Sequence, residues 1–221
     1  LIDGNSFGAL VGPSSLVLVG LGSLGATMAG YDLPDLKRLP KAAIASSEPL
    51  TVTSRTYNRS SSGSFGQTLD GVNATGGLEA GESVVLMQLR DDEVARTNIG
   101  IHNQWRRSAR VEVELYDSDG SLVTAHSRNI PAQQTVQLNR PFQKFGGRND
   151  VESGYAVVSV LSGQDIYVYG SVVDNLTGDP TAIPMKVGDG AHVQWIAAAA
   201  HGGGAHGSVW RTDVCLLNRS G

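Results

Sequence analysis

Two stretches of this chain repeat one another: Arg96-Thr97-Asn98-Ile99-Gly100-Ile101-His102-Asn103 and Arg211-Thr212-Asp213-Val214-Cys215-Leu216-Leu217-Asn218. A repeated strand constrains the fold strongly, because each copy needs an equivalent partner or leaves a sheet edge with unpaired N–H and C=O groups. The first copy stands ahead of the strands it would pair with, whereas the second stands at the end of the 221 residues. Two further pairs extend the duplication. Pro49-Leu50-Thr51-Val52-Thr53-Ser54-Arg55-Thr56-Tyr57-Asn58 matches the run from Gln164 to Asn175, both strand-like and ending in Asn. Gly12-Pro13-Ser14-Ser15-Leu16-Val17-Leu18 matches Pro131 to Leu138, each a turn followed by an alternating strand. The expectation is two similar lobes, 1–93 and 94–187, followed by 188–221 as linker and displaced strand. On this reading the first lobe lacks its opening strands, and Val209 to Asn218 carries the missing pattern.

The composition suits short strands and tight turns. The 28 glycines permit positive φ, and the many Val, Thr and Ser favour a pleated surface. We therefore expect an all-β protein. A formal charge of −4 and a pI near 5.7 leave no basic footprint for phosphate, so nucleic acid is not an expected partner. The apolar run from Ser15 to Gly30 is too short and too glycine-rich to span a bilayer, so membrane insertion is not expected either. The chain starts at Leu1 without Met, as expected of a mature product, a fragment or a piece of something longer. Cys215 has no partner within the chain and reads as a small buried hydrophobe in an alternating strand.

The second lobe is the clearest. Ala109 to Tyr116 alternates apolar and polar residues, placing Val111, Val113 and Leu115 on one buried face. Asp117-Ser118-Asp119-Gly120 supplies a turn, and Ser121 to Ser127 returns as the partner strand. Pro131 interrupts pairing before Thr135 to Leu138. Gly154 to Val160 and Asp165 to Val173 follow, and Ser83 to Leu89 precedes the lobe. Short strands with turn signals about every 8–12 residues describe an antiparallel sandwich. In the first lobe Leu1 to Gly4, Phe7 to Val11 and Leu16 to Leu18 match pieces of this plan, residues 31–40 form an insertion, and Ser60 to Gly81 reads as a long polar loop.

The segments Trp195 to His201 and Gly207 to Asp213, with Ser54-Arg55-Thr56-Tyr57-Asn58 and Ser64-Phe65-Gly66-Gln67, resemble a family of bacterial secreted and surface proteins built from duplicated Ig-like β-sandwich modules. Ala95 to Ile101 and Ser171 to Thr181 look like the second half of the same module. The resemblance covers nearly the whole chain except about residues 20–41, and its motifs are not catalytic. It implies two Ig-like antiparallel lobes, the first completed by the displaced C-terminal strand, and an extracellular or cell-surface location. The order departs from the family, in which the Trp-Arg-Thr-Asp strand comes first. A fainter similarity over 195–221 is to the soluble sensory-rhodopsin transducer, a small oligomeric β-sandwich.

No residues group as a catalytic site. Gly20-Leu21-Gly22-Ser23-Leu24-Gly25 matches the dinucleotide fingerprint in form, but no acidic strand end follows and Pro34 and Pro40 interrupt the chain. His192, His201 and His206 lie among glycines, which hold metal ligands poorly, and Asp117 to Gly120 lacks the closing glutamate of a calcium loop. Arg55, Arg96 and Arg211, with Asn58, Asp174 and Asp213, read as salt-bridged strand ends. Trp105, Trp195, Trp210, Tyr57 and Tyr155 are scattered, which suits core or interface packing better than a sugar platform. No catalytic, cofactor-binding or metal residue is assigned and no cofactor is expected. The expected function is that of a non-enzymatic structural protein, whose partners are copies of itself joined by the strand Val209, Trp210, Arg211, Thr212, Asp213, Val214, Cys215, Leu216, Leu217 and Asn218 into a filament, sheath or array. The alternative is an accessory module binding a surface glycan or protein.

Overall fold

The computed structural model describes residues 51–60, 63–73, 75–187 and 193–218. The expectations for Leu1 to Leu18, the glycine run Gly20 to Gly25, the insertion 31–40 and His192 lie outside them. The described chain is all-β with antiparallel sheets, and its centre is a two-sheet sandwich. Strands are numbered in chain order: β1 Thr53–Ser60, β2 Gly63–Asp70, β3 Ser83–Asp91, β4 Ala95–Asn103, β5 Ala109–Tyr116, β6 Leu122–Ile130, β7 Thr135–Asn139, β8 Val151–Ser162, β9 Ile166–Asp174, β10 Pro180–Pro184 and β11 Lys186–Val187. A short helix, α1 (Pro141–Gly146), joins β7 to β8.

One sheet has the order β10-β9-β4-β7 and the other β11-β3-β8-β5-β6. Alternation makes the core. Val111, Val113 and Leu115 from β5, Ala156, Val158 and Val160 from β8, and Val84, Leu86 and Leu89 from β3 point inward. Ile99 and Ile101 of β4, Leu138 of β7, and Ile166 and Val168 of β9 meet them from the opposite sheet. Phe142 of α1, fully buried, joins the same core. That helix was not anticipated from sequence. Pro141 occupies its first turn, where a missing N–H costs nothing, and Gly147 at φ 66° closes it.

Two polar anchors lock the sandwich. Asn103, buried at the end of β4, donates from Nδ2 to the carbonyls of Arg107, Ile130 and Pro131 and accepts the Trp105 N–H at Oδ1. Asp91, at the end of β3, receives the Arg140 guanidinium at 2.9 Å. Burial raises the Asp91 carboxyl above the ordinary 3.8, outweighing the hydrogen bond and charge of Arg140.

Ser60 to Gly81 is not one long loop. Gly63–Asp70 is β2, paired with β1 from Thr53↔Asp70 to Ser60↔Gly63. Glycines and serines conceal the strand in the sequence, because they contribute turn signals without apolar alternation. This hairpin sits on the outer face of the four-stranded sheet, where Gly66 N–H donates to Asp179 Oδ1 and Ser171 Oγ donates to Gln67 Oε1, each at 2.9 Å. On that face the Tyr169 ring lies across Gly100, leaving no room for a Cβ.

Two stability measurements follow. Gly100→Ala should lower the urea midpoint by an amount equivalent to about 1–3 kcal/mol, the usual cost of overpacking, and adding Tyr169→Ala should recover part of it. Arg140→Met strips the buried Asp91 carboxylate of its partner and should cost about 3–5 kcal/mol near neutral pH. Because the native state binds the Asp91 proton more tightly than the unfolded chain, the protonated form favours folding at low pH. That contribution is lost as pH rises through the raised pKa. The Arg140→Met deficit should therefore shrink as denaturation is repeated at falling pH.

Candidate assembly site

The repeated segment has a structural logic that is visible in β4. Thr97 is buried, and its hydroxyl accepts the Arg90 N–H at 3.0 Å while donating to the Arg90 carbonyl at 2.7 Å. This double bond clamps β4 to β3 where the chain passes from one sheet to the other. Arg96 Nη1 donates to Asn175 Oδ1 at 2.8 Å, and Asn175 Nδ2 donates to the carbonyls of Asp92 and Glu93 in the β3–β4 turn. The β4–β9 ladder then runs unbroken from Ala95↔Asp174 to Asn103↔Ile166.

The C-terminal copy rebuilds the clamp. Thr212 Oγ1 accepts the Ala200 N–H at 2.8 Å and donates to the Ala200 carbonyl at 3.1 Å. Between them a two-residue ladder joins Gly202–Gly203 (β12) to Val209–Trp210 (β13) across a single 3₁₀ turn. Ala200 and Thr212 thus repeat the reciprocal bonds of Arg90 and Thr97, here at the end of a two-residue ladder within one sheet and not between two sheets. Beyond Trp210 the segment enters no ladder among the described residues. It lies along the solvent side of the five-stranded sheet, where Gln88 Nε2 donates to the Asp213 carbonyl at 3.2 Å and Cys215 Sγ is 3.9 Å from Ser153 Oγ. Gln88 itself has φ 59° at an irregularity between Leu86 and Leu89, which turns its amide outward.

Exposure separates the two copies. Ile99 and Ile101 are fully buried, whereas Val214 and Leu216, at the same positions of the repeat, are 56% and 91% exposed. Trp195 is 92% exposed, and Ile196, Val209 and Trp210 are exposed with it. The other face of the problem is β1. Among the described residues it pairs with β2 alone, and its exposed Arg55 and Arg59 lie over the Tyr57 ring at 5.3 and 5.5 Å.

Several sequence expectations need correction here. Arg96 bonds to an amide, not a carboxylate, while Asp174 Oδ1 caps the following turn by accepting from the N–H groups of Leu176 and Thr177 and from the Thr177 hydroxyl. Those Thr177 bonds hold the Asp174 carboxyl below the usual aspartate value. Arg55 donates to Ser64 Oγ at 3.4 Å, and neither Arg211 nor Asp213 forms an ion pair among the described residues. Charge complementarity in sequence misled because turn N–H groups compete for the same carboxylates. Cys215 is half-buried and outside any strand. Trp195 and Trp210 lie outside the core, while Tyr155 stacks on Tyr116 with centroids 4.8 Å apart. Asp117 to Gly120 is the expected turn, with the Asp117 carboxylate engaged by Arg148 at 2.8 Å.

A narrow cleft of about 60 Å³ separates the β1–β2 hairpin from the four-stranded sheet, with Thr56, Gln67, Asn98, Gln137, Tyr169 and Ser171 among its walls. Burial raises the Tyr169 hydroxyl above its ordinary value. Among the described residues no group of three or more His, Cys, Asp or Glu is placed to hold a metal ion, and no helix is long and apolar enough to cross a membrane.

No protein-family model matches the chain, and no curated protein matches it in sequence. Solved structures do show likeness. Thermotoga maritima 1070 aligns at a TM-score of 0.37 and 11% identity over 50% of this chain and 94% of its own. The Anabaena sensory rhodopsin transducer aligns at a TM-score of 0.34 and 16% identity over 42% of this chain and 97% of its own. The arabinose-bound MgGH51 α-L-arabinofuranosidase aligns at 0.26 and 14%, over 55% of this chain and 22% of its own.

The two clamps make different predictions. Thr97→Val leaves the Arg90 N–H and C=O buried without partners and should cost about 1–3 kcal/mol in urea unfolding. Thr212→Val should leave that transition in place and only accelerate amide exchange at Ala200. Equal loss of global stability in both variants would contradict the separation of the C-terminal hairpin from the sandwich core.

Proposed function

We propose that this chain is a non-enzymatic extracellular or cell-surface structural protein that assembles with copies of itself into a filament, sheath or array by strand complementation. It would be built from two duplicated Ig-like modules, 1–93 and 94–187, with 188–221 as the complementing segment. The observation that carries the reading is the exposure of Val214 and Leu216 at positions where the repeat buries Ile99 and Ile101. Burying one such side chain is worth about 1.5–3 kcal/mol, so a strand with its core-facing residues in water has a strong incentive to find a second sheet. Addition to an open edge contributes backbone hydrogen bonds along the whole segment and gives a short peptide a firm hold. Against the five-stranded sheet the segment is met by the Gln88 amide at the Asp213 carbonyl and by a long contact between Cys215 Sγ and Ser153 Oγ.

The exposed Trp195 and Trp210 favour a second reading, an accessory module that binds a surface glycan or protein, because exposed aromatic faces stack on sugars and anchor interfaces. One experiment separates the two. Light scattering and negative-stain microscopy of the full chain should show long oligomers, and deletion of 208–221 should leave monomers. A compact monomer in both cases would remove the assembly reading and favour the module.

A further inference from the structure

The displaced strand has a residue-by-residue template in the same molecule. β4 meets β9 with Arg96 opposite Val173, Asn98 opposite Ser171 and Gly100 opposite Tyr169. The sequence repeat aligns Arg211, Asp213 and Cys215 with Arg96, Asn98 and Gly100, and aligns Thr56, Ser54 and Val52 with Val173, Ser171 and Tyr169. The hairpins agree with this alignment. β9 places Ser171 opposite Ala182 and Val173 opposite Pro180 in β10, while β1 places Ser54 opposite Leu69 and Thr56 opposite Gln67 in β2. β1–β2 and β9–β10 are thus both antiparallel hairpins. The reciprocal Thr212 bonds to Ala200 repeat those of Thr97 to Arg90.

Resting on the assembly reading above, we propose that Arg211 to Leu216 of one copy adds antiparallel to β1 and the two residues before it in a second copy, in the β4–β9 register. Arg211 then lies opposite Thr56 with its guanidinium at the Asn58 amide, as Arg96 does at Asn175. Asp213 lies opposite Ser54 and Cys215 opposite Val52. Val214 and Leu216 turn to the inner side, the side that Ile99 and Ile101 occupy in β4. One bond beyond the β1–β2 ladder, from the Gly71 N–H to the Val52 carbonyl at 2.7 Å, holds Val52 against the hairpin at the place opposite Cys215.

The occupant is a second copy because of where the two hairpins sit. The donor lies along the solvent side of the five-stranded sheet, against Gln88 and Ser153. The acceptor is fastened to the outer face of the four-stranded sheet, through Gly66 to Asp179 and Ser171 to Gln67. Donor and acceptor thus occupy opposite faces of one sandwich, whose sheets alone are about 10 Å apart. A molecule that gives from one face and receives on the other makes a heterologous contact, which repeats head to tail and grows in one direction.

The test is a disulfide, since directly opposed strand residues have Cα atoms about 4.5–5.5 Å apart, within the range a disulfide spans. In the full chain, Val52→Cys should oxidise with the native Cys215 of the next molecule and give a ladder of covalent oligomers on a non-reducing gel. Thr51→Cys, one residue out of register and facing the other side, should give little. Ser153→Cys should instead trap Cys215 within its own chain and hold the protein as monomers until reductant is added. A Val52→Cys disulfide confined to monomers would overturn the second copy as occupant. Oligomers that depend on 208–221 but form no Val52→Cys link would overturn the register and leave the assembly reading intact, whereas the absence of oligomers in every form would remove that reading itself.

Discussion

The ladder between β4 and β9 is the constraint on which the rest of the structure depends. Its nine paired positions set which side chains face inward, so Ile99, Ile101 and Val168 enter the core while Asn98, Gly100, Tyr169 and Ser171 form the outer surface. A shift of one residue would exchange those sets and leave the five-stranded sheet without a facing layer. The ladder is therefore pinned at its ends: Arg96 and Asn175 tie one end to the β3–β4 turn, and Asn103 ties the other to the carbonyls of the neighbouring loops. The same outer surface then receives the β1–β2 hairpin, so one register decides both the core and the platform for the next layer.

Polar groups at the rim divide into two kinds. Asp91 is buried with Arg140, its second oxygen without a partner, and burial raises its pKa even beside a guanidinium. Asp92, its neighbour, is also disfavoured by burial, but the N–H groups of Ala95 and Val94 and the Arg90 guanidinium outweigh that and lower its pKa. Depressed carboxylates such as Asp92 and Asp174 stabilise the fold above the ordinary aspartate pKa and lose that effect as pH falls through their native values. Asp91 acts in the opposite sense. The turns thus favour neutral pH, while the β3–α1 contact tolerates acid.

The repeat carries architecture. In β4 Thr97 and Asn103 bond to backbone groups and Arg96 bonds to the Asn175 side chain, and the Thr task is performed again at Thr212. The apolar residues between them are where the copies part company. In β4 they complete a core, and in the C-terminal segment they face solvent. The contrast between the two copies thus lies in their apolar side chains and not in the threonine clamp, which both form.

Much of the fold was legible in the sequence because period-two alternation survives in β5, β8 and β9, and because Asp117 to Gly120 and Pro131 punctuate the strands. The duplication was legible for the same reason, since the side chains that hold β3, β4 and β9 together are short polar residues that leave a recognisable pattern. What the sequence could not show was anything settled across space. β2 was hidden by glycines and serines, whose pairing depends on β1 and on the outer face of the distant sheet. α1 was hidden because Phe142 earns its helix by filling the core, not by periodicity. The partners of Arg96, Asp91 and Asp174 were decided by which N–H groups, amides and guanidiniums the tertiary structure brought near them. The sequence by itself determined that an eight-residue pattern recurs; only the tertiary structure decided that one copy is a paired strand with a buried face and the other is not, because burial is a property of the layers that meet and not of the segment alone.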